Sequence, residues 1–302
     1  MLKNISNPPN TLYLEGDIDL LCSNSIAIIG SRSASEKGKK LAQKFSSELS
    51  NIGITIISGL ARGIDTVAHT YSYNKKGKTI AVLGSGFNKI YPPENKDLFK
   101  KIIENGGLVI SEYSPDTDRS SPNFRARNRL ISGLSLGVLV IEAKYKSGTS
   151  ITAEHAQEQN KLVFALPHEI DDPHGIGTNR LLKNGAIPIT NTSDILDKLK
   201  LSKYKEIYKD LNANKNTHNT INTLNTNDAD NSINKVNATN ALNFNFSDKK
   251  QSKIFKLIKK TPVTPNDLAR RTKLSINEIQ SILFILEMDG YIKKVQGGYI
   301  CT

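Results

Sequence analysis

From residue 26 to about residue 200, short apolar runs alternate with longer amphipathic segments, and this alternation constrains the fold more than any other feature. The runs are almost continuously apolar, as expected for parallel strands covered by helices on both faces. They are IAIIG (26–30), ITIISG (54–59), TIAVLG (79–84), GLVIS (107–111), GVLVIEA (137–143) and LVFALP (162–167). The segments between them, including 35–51, 64–76, 94–105 and 149–160, have helical spacing. The pattern predicts an α/β domain with a doubly wound, mostly parallel sheet.

The chain changes character after residue 202. Residues 212–245 are dense in Asn and Thr without hydrophobic periodicity, which predicts a disordered linker over 203–247. Apolar spacing returns at 248–302 and predicts a small winged helix-turn-helix domain, with a hairpin near 291–300 that turns at Gly297 and Gly298. We expect its core to contain Leu268, Leu274, Ile279, Leu283 and Leu286. The predicted domains are therefore 1–202 and 248–302.

Charge and cysteine content limit the partners and the compartment. The formal net charge of +12 favours a polyanionic partner, although a generally Lys-rich composition is the alternative explanation. Cys22 and Cys301 are far apart and fit no metal or disulfide spacing, which indicates a reducing compartment. The first 20 residues contain no long apolar stretch, so we expect no signal peptide, no membrane span and a cytoplasmic location. No residue spacing predicts a metal site.

The stretch 123–143 places three arginines directly before an apolar run that is typical of a buried strand. Arg125, Arg127 and Arg129 carry planar, permanently charged groups that suit phosphate. The local sequence offers them no acidic partners, so we expect an anionic ligand. Phe124 provides a flat face on which a base of a single strand could stack. The alternative is a core Phe beside a solvated basic helix face.

Two further loops follow predicted strands and open predicted helices. GSRSAS at 30–35 and KSGTSITAEHA at 146–156 offer main-chain amides and hydroxyls of the kind that bind phosphate at helix starts. Glycine permits a tight turn there, and an arginine adds a charge-assisted donor. An ordinary strand-to-helix turn is the alternative for each. The candidate ligands are Gly30, Ser31, Arg32, Ser33, Ser147, Gly148, Thr149 and Ser150.

Two more segments extend the same pattern. SGLARGID at 58–65 places Arg62 at a strand end, and GTNRLLKNGA at 177–186 brings Lys183 after the last strong strand. Asp65 and His69 lie one helical turn apart, and a structural pair is favoured over catalysis because no third partner is apparent. No set of nucleophile, base and orienting group stands out. Five polar or basic loops along one sheet predict an anion-binding crevice at the carboxyl ends of its strands.

Together these segments, in their order along the chain, resemble the DNA-processing protein A family (DprA, also called Smf), over roughly residues 8–195. The resemblance implies an extended Rossmann-like domain that binds single-stranded DNA and forms dimers. It also implies a mediator that protects incoming DNA and loads RecA recombinase onto strands coated with single-strand-binding protein during natural transformation. Neither catalysis nor a cofactor is expected. Many members begin with a helical SAM-like domain, which we expect this chain to lack.

The resemblance also assigns residues. It implies that the loop of Gly30, Ser31 and Arg32 lies at DNA phosphates, and that Phe124, Arg127 and Asn128 form the family's F-x-x-R-N motif. Lys183 matches a basic position less closely. The full set of expected DNA ligands is Gly30, Ser31, Arg32, Arg62, Phe124, Arg125, Arg127, Asn128, Ser147, Gly148, Thr149 and Lys183.

Two other functions remain open on the sequence. In an enzyme related to nucleotide-processing phosphoribohydrolases, Glu154 would assist glycosidic cleavage, although Lys146 and Ser147 stand where those enzymes have Gly-Gly. In a transcription regulator, the winged helix would read duplex DNA. The recognition helix, 275–288, contains Glu278 and Glu287 and no Lys or Arg, which does not favour duplex reading.

Overall fold

A computed structural model describes residues 2–145 and 147–212 and, nearer the C-terminus, 254–255, 257–258, 262–272, 274–288, 292–295 and 298–301. The chain divides into two compact units, Met1–Asp228 and Ala229–Thr302. Most of the predicted linker lies outside the described residues. Its predicted start at residue 203 is wrong, because residues 202–212 are helical and pack Tyr204, Ile207 and Tyr208 against the core of the first unit.

The first unit contains an eight-stranded sheet in the order β1-β5-β4-β3-β2-β6-β7-β8. Strand β1 pairs antiparallel with β5, and the other pairs are parallel. The strands are β1 Tyr13–Gly16, β2 Ser25–Ile29, β3 Thr55–Ser58, β4 Thr79–Leu83, β5 Leu108–Ser111, β6 Gly137–Val140, β7 Leu162–Ala165 and β8 Ile187–Pro188. All six predicted strands are confirmed. Two strands were not predicted: β1, which is mostly exposed, and β8, which has two residues.

Helices cover both faces of the sheet. They are α1 Glu36–Asn51, α2 Ile64–Thr70, α3 Lys96–Glu104, α4 Ser121–Leu134, α5 Gly148–Glu158, α6 Ile176–Lys183 and α7 Thr192–Lys198. Helices α1 to α6 connect consecutive strands, and α7 follows the last strand. Alternate strand residues point to opposite faces: in β2, Ile26 and Ile28 pack with α1, α2 and α7, whereas Ala27 and Ile29 pack with α4, α5 and α6. The predicted doubly wound, Rossmann-like sheet is confirmed.

The strand order places a topological switch point at the centre of this sheet. Strand β2 lies between β3 and β6, so the connection that leaves β2 and the one that leaves β6 run to opposite sides. A crevice opens at such a point beyond the carboxyl ends of the strands. Helix α4 leads from β5, near one edge, back to the central strand β6, and it brings its polar face to this crevice.

The second unit is a winged helix-turn-helix, as predicted. Helices α8 Pro265–Thr272 and α9 Ile276–Met288 precede an antiparallel hairpin of β9 Ile292–Val295 and β10 Gly298–Cys301. Val263 bridges to Tyr299 of β10 through two main-chain hydrogen bonds of 2.9 and 3.0 Å. Four of the five predicted core residues are buried, namely Leu268, Ile279, Leu283 and Leu286. The fifth, Leu274, is partly buried. Gly297 lies outside the described residues.

No helix in the described part of the chain combines the length and the hydropathy that crossing a bilayer requires. No group of three His, Cys, Asp or Glu side chains in the described ranges is arranged to hold a metal ion.

Candidate nucleic-acid interface

A crevice of about 690 Å³ opens at the switch point. The loops after β2, β3 and β6 form its floor and one wall, and α4 and the start of α5 form the other. Ten of the twelve predicted DNA ligands line it: Gly30, Ser31, Arg32, Phe124, Arg125, Arg127, Asn128, Ser147, Gly148 and Thr149. Arg62 and Lys183 do not. The structure therefore brings together residues that are more than 100 positions apart in the chain.

The loop after β2 begins at Gly30, which no other residue could replace unless the neighbouring atoms moved. A Cβ at Gly30 would lie 2.6 Å from the Ile64 side chain and 3.1 Å from the carbonyl oxygen of Glu142. The absent side chain lets the loop pass close to α2 and return toward the crevice. Arg32 then lies over the Phe124 ring, 5.7 Å from its centroid, within the range of a cation–π contact. The loop from β2 and helix α4 are thus joined by a cation held at the crevice mouth.

The start of α1 differs from the prediction, because a buried carboxylate already occupies it. Glu142, 1 % exposed, accepts a hydrogen bond from the Ser35 main-chain N–H at 3.0 Å and another from the Ser35 hydroxyl. Ser35 in turn caps the helix by accepting from the Gly38 N–H at 2.9 Å. A negative charge at this position stabilises the helix dipole. The first turn of α1 is therefore less available to a phosphate than we expected.

The start of α5 has no such internal anion. Ser147 is the N-cap residue in an extended conformation, its side chain makes no capping hydrogen bond, and the first turn contains no acidic residue. The Ser147 hydroxyl is buried, and the described residues supply it with no partner. Thr149, 7 % exposed, lines the crevice beside it. Asn128 fixes this turn to α4 by donating from Nδ2 to the Gly148 carbonyl at 3.3 Å. This helix start is the open anion position of the crevice.

Arg127 lies beneath the crevice and is 3 % exposed. Its Nη1 donates to the carbonyl oxygens of Gly59, at 2.7 Å, and Val82, so the guanidinium ties together the ends of β3 and β4. Burial lowers the pKa of Arg127 to about 10, and the nearby Asp65 carboxylate opposes this shift. A Cβ at Gly59 would lie 2.6 Å from Nη2, so glycine is needed there. Arg127 therefore supports the crevice floor, and its charge acts on a ligand from below.

Asp65 and His69 both hold the loop after β3 through hydrogen bonds to its main chain. Asp65 accepts from the main-chain N–H groups of Gly59 at 3.1 Å and Ala61 at 3.4 Å. Its burial raises the pKa of the carboxyl group, and the positive charge of Arg127 opposes the shift. His69 is fully buried, and its Nε2 accepts from the Leu60 N–H at 3.3 Å. Burial lowers the pKa of His69 to about 3, so its imidazole is neutral.

Arg129 corrects the expectation that the three arginines lack acidic partners. Its guanidinium forms a two-bond ion pair with Glu112, with N···O distances of 2.8 and 2.6 Å, and also donates to the Asn7 carbonyl at 2.8 Å. The side chain is largely buried on the side of α4 away from the crevice. Sequence spacing did not reveal this pairing because Glu112 follows β5, 17 residues earlier. Of the three arginines, only Arg125 is exposed in the crevice.

Comparison with known proteins identifies the architecture around this crevice. The model of the DNA recombination-mediator protein A family matches residues 1–200. The chain belongs to this family. The DprA winged helix domain matches residues 245–298.

Relatives of known name share much of the chain. Protein Smf of Escherichia coli K12 is 36 % identical over 97 % of this chain and 71 % of its own length. The structure of DNA processing protein A from Streptococcus pneumoniae superposes with a TM-score of 0.62 at 42 % identity, covering 65 % of this chain and 69 % of that one. The structure of DNA processing protein A from Helicobacter pylori was described for its unique single-stranded DNA binding mode. It superposes with a TM-score of 0.62 at 34 % identity, covering 67 % of this chain and 92 % of that one.

Two predicted residues of this DprA-family chain lie outside the crevice lining. Arg62 forms an ion pair with Glu94 and lies over the Tyr91 ring, 5.6 Å from its centroid. Lys183 is the last residue of α6, which runs from the carboxyl end of β7 back toward the start of β8. Because an eight-residue helix is about 12 Å long, Lys183 lies toward the amino ends of the strands.

Other residues at this site were missed by the sequence analysis. Lys144 lines the crevice four residues after the end of β6. It lies between the predicted strand 137–143 and the predicted loop 146–156 and belongs to neither. Tyr91 and Arg119 lie just outside the crevice, where the Arg119 guanidinium stacks on the Tyr91 ring at 4.1 Å. Neither belongs to a basic or glycine-rich motif. The one available signal for a site residue was that Tyr91 follows β4 and Arg119 follows β5.

Proposed function

We propose that the crevice binds the sugar–phosphate backbone of single-stranded DNA, and that the chain thereby serves as a recombination mediator. In this proposal it protects incoming DNA and loads RecA recombinase onto single strands, including strands coated with single-strand-binding protein, during natural transformation. It would act in the cytoplasm as a homodimer without a cofactor. The single-stranded DNA binding mode described for the Helicobacter pylori relative supports single-stranded DNA as the ligand.

One observation carries the proposal: the open start of α5 faces a cation at the crevice mouth. The Ser147 hydroxyl and the first amides of α5 can donate to phosphate oxygens, and Arg32 supplies the charge. Arg125 and Lys144 add positive charge at the rim. The buried positive charge of Arg127, beneath the crevice, adds to the attraction for phosphate. Contacts of this kind go to the backbone, so they predict little dependence on base sequence.

The direct test is a fluorescence-anisotropy titration of a labelled single strand over a range of salt concentrations. The wild-type chain should bind a single strand more tightly than a duplex, and affinity should fall as salt rises. Arg32→Ala and Thr149→Val should weaken binding, and Arg32→Ala should reduce the slope of log affinity against log salt by about 0.7. Lys44→Ala on α1 removes an exposed charge away from the crevice and should bind normally. Equal affinity of Arg32→Ala and wild type would overturn the proposed site.

The mediator role needs a separate measurement. RecA-dependent strand exchange on a strand precoated with single-strand-binding protein should accelerate when the wild-type chain is added. Arg32→Ala should lose this acceleration in proportion to its loss of DNA binding. Normal DNA binding by the wild type without any acceleration would contradict the loading role while leaving the DNA site intact.

A glycosidic enzyme is the second candidate function, and the position of Glu154 supports it. Glu154 lines the same crevice as the open start of α5, where a nucleotide phosphate could bind. Release of free base from nucleoside monophosphates, lost in Glu154→Gln, would support this function. Without base release by the wild type, this candidate fails.

A further inference from the structure

Beyond the crevice, aromatic rings and arginines form a continuous contact series along the sheet edge. Arg32 lies over Phe124, and the Phe124 and Tyr91 ring centroids are 5.8 Å apart at an interplanar angle of 46°. On Tyr91 lie two guanidinium groups, Arg119 at 4.1 Å and Arg62 at 5.6 Å. These residues come from the segments after β2, β3, β4 and β5, so the series lies at the edge of the sheet where the strands have their carboxyl ends. Four strand spacings, from β6 to β5, extend over about 19 Å.

The two loops that carry the far end of this series are fixed to each other. The Gly86 N–H donates to the Thr117 carbonyl at 2.9 Å, and the Asn88 N–H donates to the Pro115 carbonyl at 2.8 Å. The Asn88 side chain also donates to Asp116 at 2.8 Å. The guanidinium of Arg119 is therefore held on the Tyr91 ring by the loops on both sides. A preformed stack loses little side-chain entropy when it binds a ligand.

Charge separates this outer region from the crevice. Glu94 pairs with Arg62, and Asp118 pairs with Lys89 at 3.6 Å. The Glu94 carboxylate compensates the charge of Arg62, and the Asp118 carboxylate compensates that of Lys89, which makes the region a weaker binder of phosphates than the crevice. Rings and guanidinium planes still offer faces for stacking, and every nucleobase has such a face. The chemistry therefore fits bases, whereas that of the crevice fits phosphates.

We propose that Phe124, Tyr91 and Arg119 form a stacking shelf for bases of the same strand whose backbone occupies the crevice. This inference rests on the proposed function and adds the path of the strand: it leaves the crevice past Phe124, toward the end of β5. At the far end, a base stacks on the outer face of the Arg119 guanidinium, which is exposed and rests on Tyr91. The shelf accepts any base and contributes affinity without reading sequence.

The test compares Tyr91→Leu with Tyr91→Phe in the full-length chain. Anisotropy titrations use a strand of roughly 15 nucleotides, within the range that one small single-strand-binding fold covers, and a matched strand with abasic sites outside the crevice segment. Tyr91→Leu should bind the intact strand between about fivefold and about 100-fold more weakly, the range for one base–aromatic stack. It should bind the abasic strand like wild type. Tyr91→Phe keeps the ring and should bind both strands within about twofold of wild type.

Salt dependence provides the second measurement. Tyr91→Leu retains every charge, so the slope of log affinity against log salt should not change. Arg119→Lys retains the charge but loses the planar face, and it should also weaken binding to the intact strand alone. Because Arg119 is exposed, this variant folds even if Tyr91→Leu does not, which thermal melting would show.

Each result bears on the shelf or on the crevice separately. If Tyr91→Leu and Arg119→Lys bind the intact strand like wild type, or lose equal affinity for the abasic strand, the shelf is refuted. The proposed function still stands in that case, provided that Arg32→Ala weakens binding. If the wild-type chain does not bind single strands, the proposed function itself fails.

Discussion

Nη1 of Arg127 lies 2.7 Å from the carbonyl oxygen of Gly59, and Arg127 as a whole is only 3 % exposed. This residue belongs to the motif expected to contact DNA, yet its guanidinium donates to two main-chain carbonyl oxygens and to the Asn128 side chain. Arg127→Ala should therefore destabilise the first unit by about 3–5 kcal/mol, because it leaves two buried carbonyl oxygens without a donor and removes the positive charge near the buried Asp65 carboxyl. Urea unfolding measures the change.

The matched control is Arg125→Ala on the same helix. Arg125 is exposed, and its loss should change the free energy of unfolding by no more than about 0.5 kcal/mol. If Arg127→Ala were as stable as Arg125→Ala, the main-chain hydrogen bonds would not support the crevice floor. If the expected loss is found, weak DNA binding by Arg127→Ala would reflect a damaged floor as well as a lost charge.

The parallel sheet could be predicted because its signal is local. Each central strand is buried on both faces and appears as a separate apolar run, and each run ends where a polar loop begins. Strand β1 gave no such signal because Leu14 and its neighbours are exposed at the sheet edge. The crevice followed from the sheet, because parallel strands bring their carboxyl ends to one edge.

The roles of individual side chains could not be predicted in the same way. Glu142 caps α1 by binding Ser35, 107 residues earlier in the chain, and Arg129 binds Glu112, 17 residues earlier. No periodicity links such pairs, because the sheet order brings them together. A count of arginines therefore overestimated the charge that is free for DNA. Burial and partners decide which of them face a ligand.

His69 makes the stability depend on pH. Burial lowers its pKa to about 3 in the folded chain, whereas an unfolded histidine titrates near 6.5. Between these values the unfolded state binds more protons, so the imidazole lowers stability as the pH falls from about 6.5 toward 3. The slope approaches about 1.4 kcal/mol per pH unit.

Comparison with His69→Gln isolates this effect. The raised pKa of Asp65 acts in the opposite direction, since its folded form binds a proton more readily, and it is present in both proteins. Thermal melting across the acidic range should show a steeper loss of stability in wild type than in His69→Gln. Parallel curves for the two proteins would mean that His69 is not the group that titrates.

Gly38 in α1 should reverse the usual preference for alanine in a helix. An alanine in a helix interior is normally favoured over glycine by about 1 kcal/mol. A Cβ at Gly38, however, would lie 2.2 Å from the carboxyl carbon of Glu142 and displace the group that caps the helix. We expect Gly38→Ala to destabilise the unit by about 1–3 kcal/mol, measured by urea unfolding.

Gly148 provides the contrast, because a Cβ at this first residue of α5 would meet nothing within 4 Å. Gly148→Ala should leave stability unchanged or raise it by up to about 1 kcal/mol. A stabilised Gly38→Ala would show that Glu142 can leave its position at the start of α1 without cost.

The acidic character of α9 has a local structural cause at its first turn. Glu278 accepts hydrogen bonds from the Ser275 N–H at 3.0 Å and hydroxyl at 2.9 Å, and the Ser275 hydroxyl oxygen accepts from the Glu278 N–H at 3.3 Å. This reciprocal arrangement is a capping box, which satisfies main-chain donors at the helix start. One of the two acidic residues that argued against duplex reading is therefore explained by helix capping.

Removing the cap should loosen the winged helix. Ser275→Ala should lower the stability of α9 by about 1 kcal/mol, because it leaves a helix-start donor without its acceptor. Glu278→Gln keeps an acceptor oxygen and should cost less. Amide hydrogen exchange in the full chain reports the two variants separately for each unit: protection should fall about fivefold in α9 for Ser275→Ala and stay unchanged in the sheet of the first unit. Unchanged protection of α9 in Ser275→Ala would rule out a stabilising cap and return both glutamates to the role of surface charges.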